Sequence, residues 1–145
     1  MKLGEQFKKE VATVPPDASI RKVAFLMRDR GVGAVVVVNA KNKPVGIVTD
    51  RDVAFAVAVD EKDPDTPVSE IVPGELITIG ENEGIFNATQ YIMGYQVRRL
   101  PIVDSGGKLV GIVTMDDLFG LLARELGNLA EGAVQPVLEE VEKRS

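Results

Sequence analysis

The chain has 145 residues, a net charge of −5 at pH 7 and neither cysteine nor histidine. Without these residues it lacks disulfides, thiolate metal ligands and the commonest general base, so most hydrolytic and zinc chemistry is disfavoured. An acidic chain without a basic tract also lacks the usual electrostatic basis for binding nucleic acid. Since no apolar run approaches the roughly 18 residues of a membrane span and the N-terminus is charged, we expect a cytoplasmic protein without a membrane partner.

An internal repeat organises the sequence. Shifted by 65 positions, Leu3–Ala56 aligns with Val68–Leu121 without a gap, and the identity is densest in two copies of one motif, Gly46–Asp52 and Gly111–Asp117. A repeat this long indicates one supersecondary unit built twice. We therefore divide the chain into a first repeat (1–60), a charged, proline-containing linker (61–67), a second repeat (68–123) and a C-terminal helical extension (124–145).

Each repeat is predicted to run strand, helix, strand, strand, helix. In the first repeat, periodicity and turn residues predict a strand at Glu10–Val14, a helix from Ile20 to Gly31 capped by Asp17 or Ser19, a buried strand at Ala34–Val38, a return strand at Pro44–Val48 and a helix from Thr49 to about Val59.

The second repeat follows the same order. The corresponding elements are a strand at Leu76–Ile79, a helix at Ile85–Met93, a buried strand at Leu100–Val103, a return strand at Lys108–Val113 and a helix that opens at Thr114. A helical stripe then continues through Leu122, Leu126 and Leu129, and a further stripe follows Gly132. If exposed, these leucines form an apolar patch, which favours a homodimer. The alternative is that the tail folds back onto its own module.

The Thr-x-x-Asp sequence inside each motif has two readings. Thr49 and Asp52, and likewise Thr114 and Asp117, fall in the first turn of a helix, where unpaired N–H groups favour a phosphate. The threonine hydroxyl can donate to that phosphate, and the carboxylate can accept both hydroxyls of a ribose. The same spacing is also a helix capping box, which satisfies backbone N–H groups and nothing more. The glycines that precede these strands, Gly46 and Gly111, mark a ligand approach or a packing requirement.

The two Gly-Ile-Val-Thr-x-x-Asp motifs, the Leu100–Asp104 sequence Leu-Pro-Ile-Val-Asp and the tandem duplication resemble a pair of cystathionine-β-synthase-type (CBS) domains over roughly residues 3–123. The resemblance implies an α+β fold in which two pseudo-symmetric β-α-β-β-α repeats pack sheet to sheet, with clefts that bind adenosine-containing ligands and a tendency to associate in pairs. It assigns ligand contacts to Thr49, Asp52, Thr114 and Asp117, and places the base beside Thr13 and Thr78.

Positive charge is uneven between the repeats. Arg51 lies inside the first motif, and Arg98 and Arg99 precede the second buried strand where the first repeat has Gly33 and Ala34. If the repeats pack about a pseudo-twofold axis, the helix start of one and the second-strand start of the other face a shared cleft. We therefore include these arginines, and Ala34 at the position equivalent to Arg99, among the ligand-binding candidates, against the alternative of solvated surface residues.

The predicted function is a regulatory binding module that senses AMP, ADP, ATP or a related ligand such as S-adenosylmethionine or NAD, needs no cofactor and catalyses no reaction. It would act by recruiting a separate regulated protein or by buffering the ligand. One alternative is a structural dimerisation or partner-recruiting module with empty clefts. The other is a Mg²⁺-dependent nucleotide-processing enzyme that uses the carboxylates of Asp50, Asp52, Asp116 and Asp117.

Overall fold

The computed structural model describes the backbone of residues 1–144 and the side chains of residues 1–133. These residues form a first unit, Met1–Val113, and a second unit that begins at Thr114. The first unit contains both repeats' strands, in two three-stranded sheets, and the second is a long helix. The predicted α+β class with a duplicated strand order is confirmed. Within the described part of the chain, no helix combines the length and apolarity needed to cross a membrane.

The first repeat carries a short leading helix and then the predicted order. Its elements are α1 (Leu3–Phe7), β1 (Thr13–Val14), α2 (Ile20–Arg30), β2 (Ala34–Val38), β3 (Pro44–Thr49) and α3 (Asp50–Ala54), followed by a π-helical turn at Phe55–Val59. Strand β2 is central, parallel to β1 and antiparallel to β3. This arrangement explains its unbroken run of valines, since Val35, Val36 and Val37 are all fully buried.

Helix α2 has both ends that its sequence predicts. The Ser19 side chain, rather than that of Asp17, accepts a hydrogen bond from the Lys22 N–H at 3.0 Å. At the other end Gly31 adopts the left-handed conformation, with φ of 63°, which costs glycine little because it has no Cβ.

The second repeat follows the same plan from a 3₁₀ turn at Val68–Glu70. Its elements are β4 (Ile79–Gly80), α4 (Ile85–Tyr95), β5 (Arg99–Val103), β6 (Leu109–Thr114) and α5 (Met115–Arg144). The sheet order is β4-β5-β6, with β4 parallel to β5. Unlike α2, helix α4 starts at a glycine, Gly84, and has no side-chain cap.

The first strand of the second repeat begins later than predicted. We expected Leu76–Ile79, whereas β4 covers Ile79–Gly80. The first strand of the first repeat is also shorter than the predicted Glu10–Val14, since β1 covers Thr13–Val14. Relative to its own repeat, β4 therefore begins one residue later than β1. In the first repeat the Val36 N–H donates to the carbonyl of Ala12 at 3.0 Å. The residue equivalent to Val36 is Pro101, which has no N–H, so the matching bond cannot form and the ladder starts further along the chain.

The last helix of the second repeat and the C-terminal helical extension are continuous. We placed a boundary between them at residues 123–124, whereas α5 is one helix over Met115–Arg144. The stripe of Leu122, Leu126 and Leu129 is exposed, at 55%, 58% and 69%. The side chains predicted to form a further stripe beyond Gly132 lie outside the described residues.

The segments that open the two repeats, residues 3–10 and 68–75, are called the leaders here, and each of them contacts the other repeat. The N–H groups of Leu3 and Gly4 donate to the carbonyls of Glu83 and Glu81 in the second repeat, each at 2.9 Å. In the equivalent pairs, Val68 and Ser69 donate to Ala18 and Pro16 of the first repeat, at 2.7 and 3.1 Å.

Each exchanged leader also brings one apolar anchor, because Leu3 and Val68 are both fully buried. Each repeat is therefore completed by the leader of the other.

Both motif glycines lie against these leaders. A Cβ on Gly46 would overlap a methyl group of Val72, and a Cβ on Gly111 would overlap the backbone carbonyl of Phe7. Val72 and Phe7 occupy equivalent positions in the two leaders. Of the two readings left open for these glycines, the contacts support the packing requirement.

Candidate functional site

Thr49 and Asp52 form a complete capping box where β3 meets α3. The Thr49 N–H donates to Oδ2 of Asp52 at 2.8 Å, and the Asp52 N–H donates to Oγ1 of Thr49 at 3.2 Å. The Thr49 hydroxyl also donates to the same Oδ2 at 2.9 Å. All three of these hydrogen bonds stay within the motif. Those to the carboxylate involve Oδ2 of Asp52, so its other carboxylate oxygen, Oδ1, is not used by the cap.

The second copy repeats the cap. The Thr114 N–H donates to Oδ2 of Asp117 at 2.9 Å, and the Asp117 N–H donates to Oγ1 of Thr114 at 3.0 Å. The capping function of Thr-x-x-Asp is therefore present in both motifs. Caps of this kind contribute about 0.5–2 kcal/mol to stability.

The N–H groups in the first turn of α3 are not available to a phosphate. The Asp50 N–H donates to the carbonyl of Gly33 at 3.0 Å, the Arg51 N–H donates to Oδ1 of Asp50 at 2.8 Å, and Asp52 uses Thr49. The expectation that unpaired N–H groups at this helix start would favour an anion is therefore wrong for the first repeat. An anionic ligand there needs positive side chains instead.

A cavity of about 270 Å³ opens beside this cap, and positively charged side chains contribute to its lining. We call it the Thr49 cleft. Its polar lining consists of Thr49, Asp52, Glu75, Arg98 and Arg99. Its apolar lining consists of Ile47, Pro73, Leu76, Ile77 and Val97. The cap of the first repeat thus shares one cleft with the second-strand start of the second repeat, the arrangement expected for repeats related by a pseudo-twofold axis.

Four of the other candidates lie apart from this lining. Arg51 is exposed, with its guanidinium 5.0 Å from the centre of the Phe55 ring, a cation–π contact that uses its charge locally. Thr13 is exposed on β1, Thr78 precedes β4 beside the lining residue Ile77, and Ala34 lies opposite Thr49 across the β2–β3 ladder. Their roles as ligand contacts stay predictions.

Sequence reasoning missed Glu75 and the apolar wall of the cleft. Three of its five apolar residues, Pro73, Leu76 and Ile77, come from the segment before β4, where we expected a strand at Leu76–Ile79. A signal for Glu75 was present, because Glu10 and Glu75 are identical in the same alignment that pairs the two motifs.

Within the described residues, no group of three or more histidine, cysteine, aspartate or glutamate side chains is placed to hold a metal ion. The carboxylates of Asp50 and Asp52 therefore lack the further oxygen ligands that Mg²⁺ or Ca²⁺ sites gather from protein side chains.

Comparison with known sequences finds the CBS domain twice, over residues 5–59 and 68–124. The protein MK0525 of Methanopyrus kandleri is 39% identical over 117 residues, which cover 80% of this chain and 60% of that protein. The CBS domain-containing protein YhcV of Bacillus subtilis is 42% identical over 109 residues, covering 75% of this chain and 76% of YhcV. The chain therefore spans three fifths to three quarters of the length of these two relatives.

Solved structures share the fold. The CBS domain protein PAE2072 from Pyrobaculum aerophilum, complexed with AMP, is 28% identical and superposes with a TM-score of 0.72 over 81% of this chain and 89% of its own. The CBS domain pair of protein MJ0100, in complex with 5′-methylthioadenosine and S-adenosyl-L-methionine, is 26% identical with a TM-score of 0.75 over 86% and 98% of the two chains. Both neighbours hold adenosine-containing ligands.

Proposed function

This chain belongs to the CBS domain family and carries the domain twice, and from that premise we propose that it is a regulatory module that binds a phosphate-bearing adenosine ligand in the Thr49 cleft. The observation that carries the proposal is the convergence of Thr49 and Asp52 with Arg98 and Arg99 in one cavity with an apolar wall. Pockets for small ligands combine apolar lining with a few convergent polar groups in this way.

The cleft offers one kind of contact for each part of such a ligand. The apolar wall suits the base, and Oδ1 of Asp52 is open to ribose hydroxyls because the cap uses only Oδ2. The guanidinium groups of Arg98 and Arg99 suit a phosphate, which arginine binds with paired N–H donors. AMP fits all three contacts, and the AMP complex of PAE2072 supports this choice. ADP, ATP, NAD and S-adenosylmethionine complete the set to be tested.

The ligand acts here as a signal and not as a substrate. The cleft lining contains no histidine, cysteine or lysine, and its only hydroxyl, that of Thr49, donates to a carboxylate within its own cap. A nucleophile activated by a neighbouring base is therefore missing from the lining. We propose that the module is not an enzyme and that, in the cytoplasm, it alters the activity of a separate protein.

We also propose that the module is a homodimer. The exposed leucine stripe of α5 (Leu122, Leu126 and Leu129) supports this proposal, since apolar side chains that share a helix face commonly mark an interface. Sedimentation at tens of micromolar should show the dimer. A strictly monomeric species would contradict it.

Calorimetric titration with the ligand panel tests the binding proposal, using wild type and Asp52→Ala. We expect AMP to bind and the variant to bind it about tenfold or more weakly, because a lost hydrogen bond to a charged group costs about 1.5–3 kcal/mol. Asp50→Ala is the matched control, since Asp50 lies in the same helical turn outside the cleft lining. Asp117→Ala extends the test to the second motif.

The melting temperature separates the two readings of Asp52. If the residue is only a cap, Asp52→Ala lowers the melting temperature and leaves the affinity for AMP unchanged. That result, or no binding by the wild type to any member of the panel, would contradict the proposal.

A further inference from the structure

The Thr49 cleft contains a carboxylate that its proposed ligand does not need. Its charged lining residues are Asp52, Glu75, Arg98 and Arg99, so the formal charges cancel. Asp52 belongs to the cap through two bonds from Thr49. Glu75 forms no such hydrogen bond among the described residues and is not part of the cap. It therefore stands beside two arginines in a cleft proposed to bind an anion.

Glu75 does not neutralise either arginine directly. Within the described part of the chain, no carboxylate oxygen lies within 4.0 Å of the guanidinium nitrogens of Arg98 or Arg99. Glu75 and Arg98 are exposed and Arg99 is half-buried. All three side chains are thus open to a ligand, and a phosphate that binds the arginines shares the cleft with the carboxylate.

Both repeats also keep an acid at this position. Glu10 and Glu75 are identical, although the two residues before each of them differ, as Lys8-Lys9 in one repeat and Pro73-Gly74 in the other. The acid is therefore common to both repeats, whereas the two arginines occur in the second repeat alone.

We propose that Glu75 is a specificity-determining residue that limits the number of phosphates on the ligand of the Thr49 cleft. This inference rests on the proposed function. The carboxylate repels each added phosphate, whereas the two arginines are already engaged by the first. The size of the cleft, about 270 Å³, agrees with this role, since it lies just below the roughly 300–1,000 Å³ of small-molecule sites.

The test is Glu75→Gln, which removes the charge and keeps the shape. Wild type and variant are titrated with adenosine, AMP, ADP and ATP, with EDTA present so that no Mg²⁺ masks the phosphates. We expect unchanged affinity for adenosine and a gain that grows with phosphate number to about two- to fivefold for ATP, the range for an exposed charge pair. The gain should shrink at about 0.5 M salt, where the Debye length is well under 10 Å.

Glu61→Gln is the matched control, because Glu61 is an exposed acid of the linker outside the cleft lining, and its replacement changes the net charge equally. An equal gain in this control, or the same change for adenosine and ATP in Glu75→Gln, would overturn the role of Glu75 while leaving the proposed function intact. If no adenosine compound binds to the wild type, both proposals are wrong.

Discussion

The two Thr-x-x-Asp motifs and the segments that precede the two buried strands show opposite behaviour. The motifs form the same cap in both repeats, with the same pair of backbone bonds. The preceding segments differ, as Gly33 and Ala34 in one repeat and Arg98 and Arg99 in the other. The repeated motif therefore caps a helix in both repeats, and the positive charge that we propose for ligand selection comes from residues outside it.

The largest change in the free energy of unfolding is expected for the buried residues that anchor the two leaders. Leu3→Ala should lower the free energy of unfolding by about 2–5 kcal/mol, because it empties a fully buried site. Val68→Ala should also destabilise, by less, since valine buries a smaller side chain. Urea unfolding measures both, with Gln6→Ala on the exposed face of α1 as control. If Leu3→Ala is as mild as the control, the first leader is not docked as described.

The next largest effect is expected at the two motif glycines, since each of them packs against one of the leaders. Gly111→Ala should cost about 1–3 kcal/mol, the usual penalty for overpacking, because the new methyl meets the backbone carbonyl of Phe7. Gly46→Ala should cost less, since the obstacle is a methyl of Val72, a side chain that can change rotamer. Urea unfolding measures the difference in stability between the two variants, provided that the m-value, the dependence of the unfolding free energy on urea, is the same for both. Equal costs would mean that the two leaders pack alike at these positions.

The smallest change in stability is expected at the N-terminal caps of helices α2 and α4. Ser19→Ala should cost about 0.5–2 kcal/mol, because the N–H of Lys22 loses its acceptor. Gly84→Ser places the same cap on α4 and should stabilise by a few tenths of a kcal/mol, about the difference between glycine and serine caps. A Cβ at Gly84 makes only an ordinary contact, 3.7 Å from the carbonyl of Met1. A loss of melting temperature in Gly84→Ser would contradict this account.

Much of the fold could be predicted because its signals are local or periodic. The duplication, the buried valine strand, the Ser19 cap and the Gly31 terminus all follow from residue spacing. The start of β4 could not be predicted by analogy with the first repeat, because Pro101 removes a donor from a distant partner strand. The exchange of leaders rests on hydrogen bonds between residues some 50 to 80 positions apart, as between Val68 and Ala18 or Leu3 and Glu83, which no local pattern shows.

The sequence identified the motif residues of the candidate site but showed only part of its chemistry. Spacing found Thr49 and Asp52, and the asymmetry of the repeats found Arg98 and Arg99. The sequence did not show that the N–H groups of α3 are occupied, since the acceptor for the Asp50 N–H is the carbonyl of Gly33, the residue before β2. Arg51 satisfied the same charge criterion as the other arginines, yet its charge faces Phe55.

We propose above all that Arg98 and Arg99 bind the phosphate of an adenosine ligand in the Thr49 cleft. Calorimetric titration of AMP and adenosine into wild type and the Arg98→Ala/Arg99→Ala variant tests it most directly, with Arg51→Ala as the matched control. We predict that the double variant loses affinity for AMP by about tenfold or more, since each hydrogen bond to a charged group contributes about 1.5–3 kcal/mol, and keeps its affinity for adenosine. Equal affinity of the double variant and the control for AMP would contradict the claim.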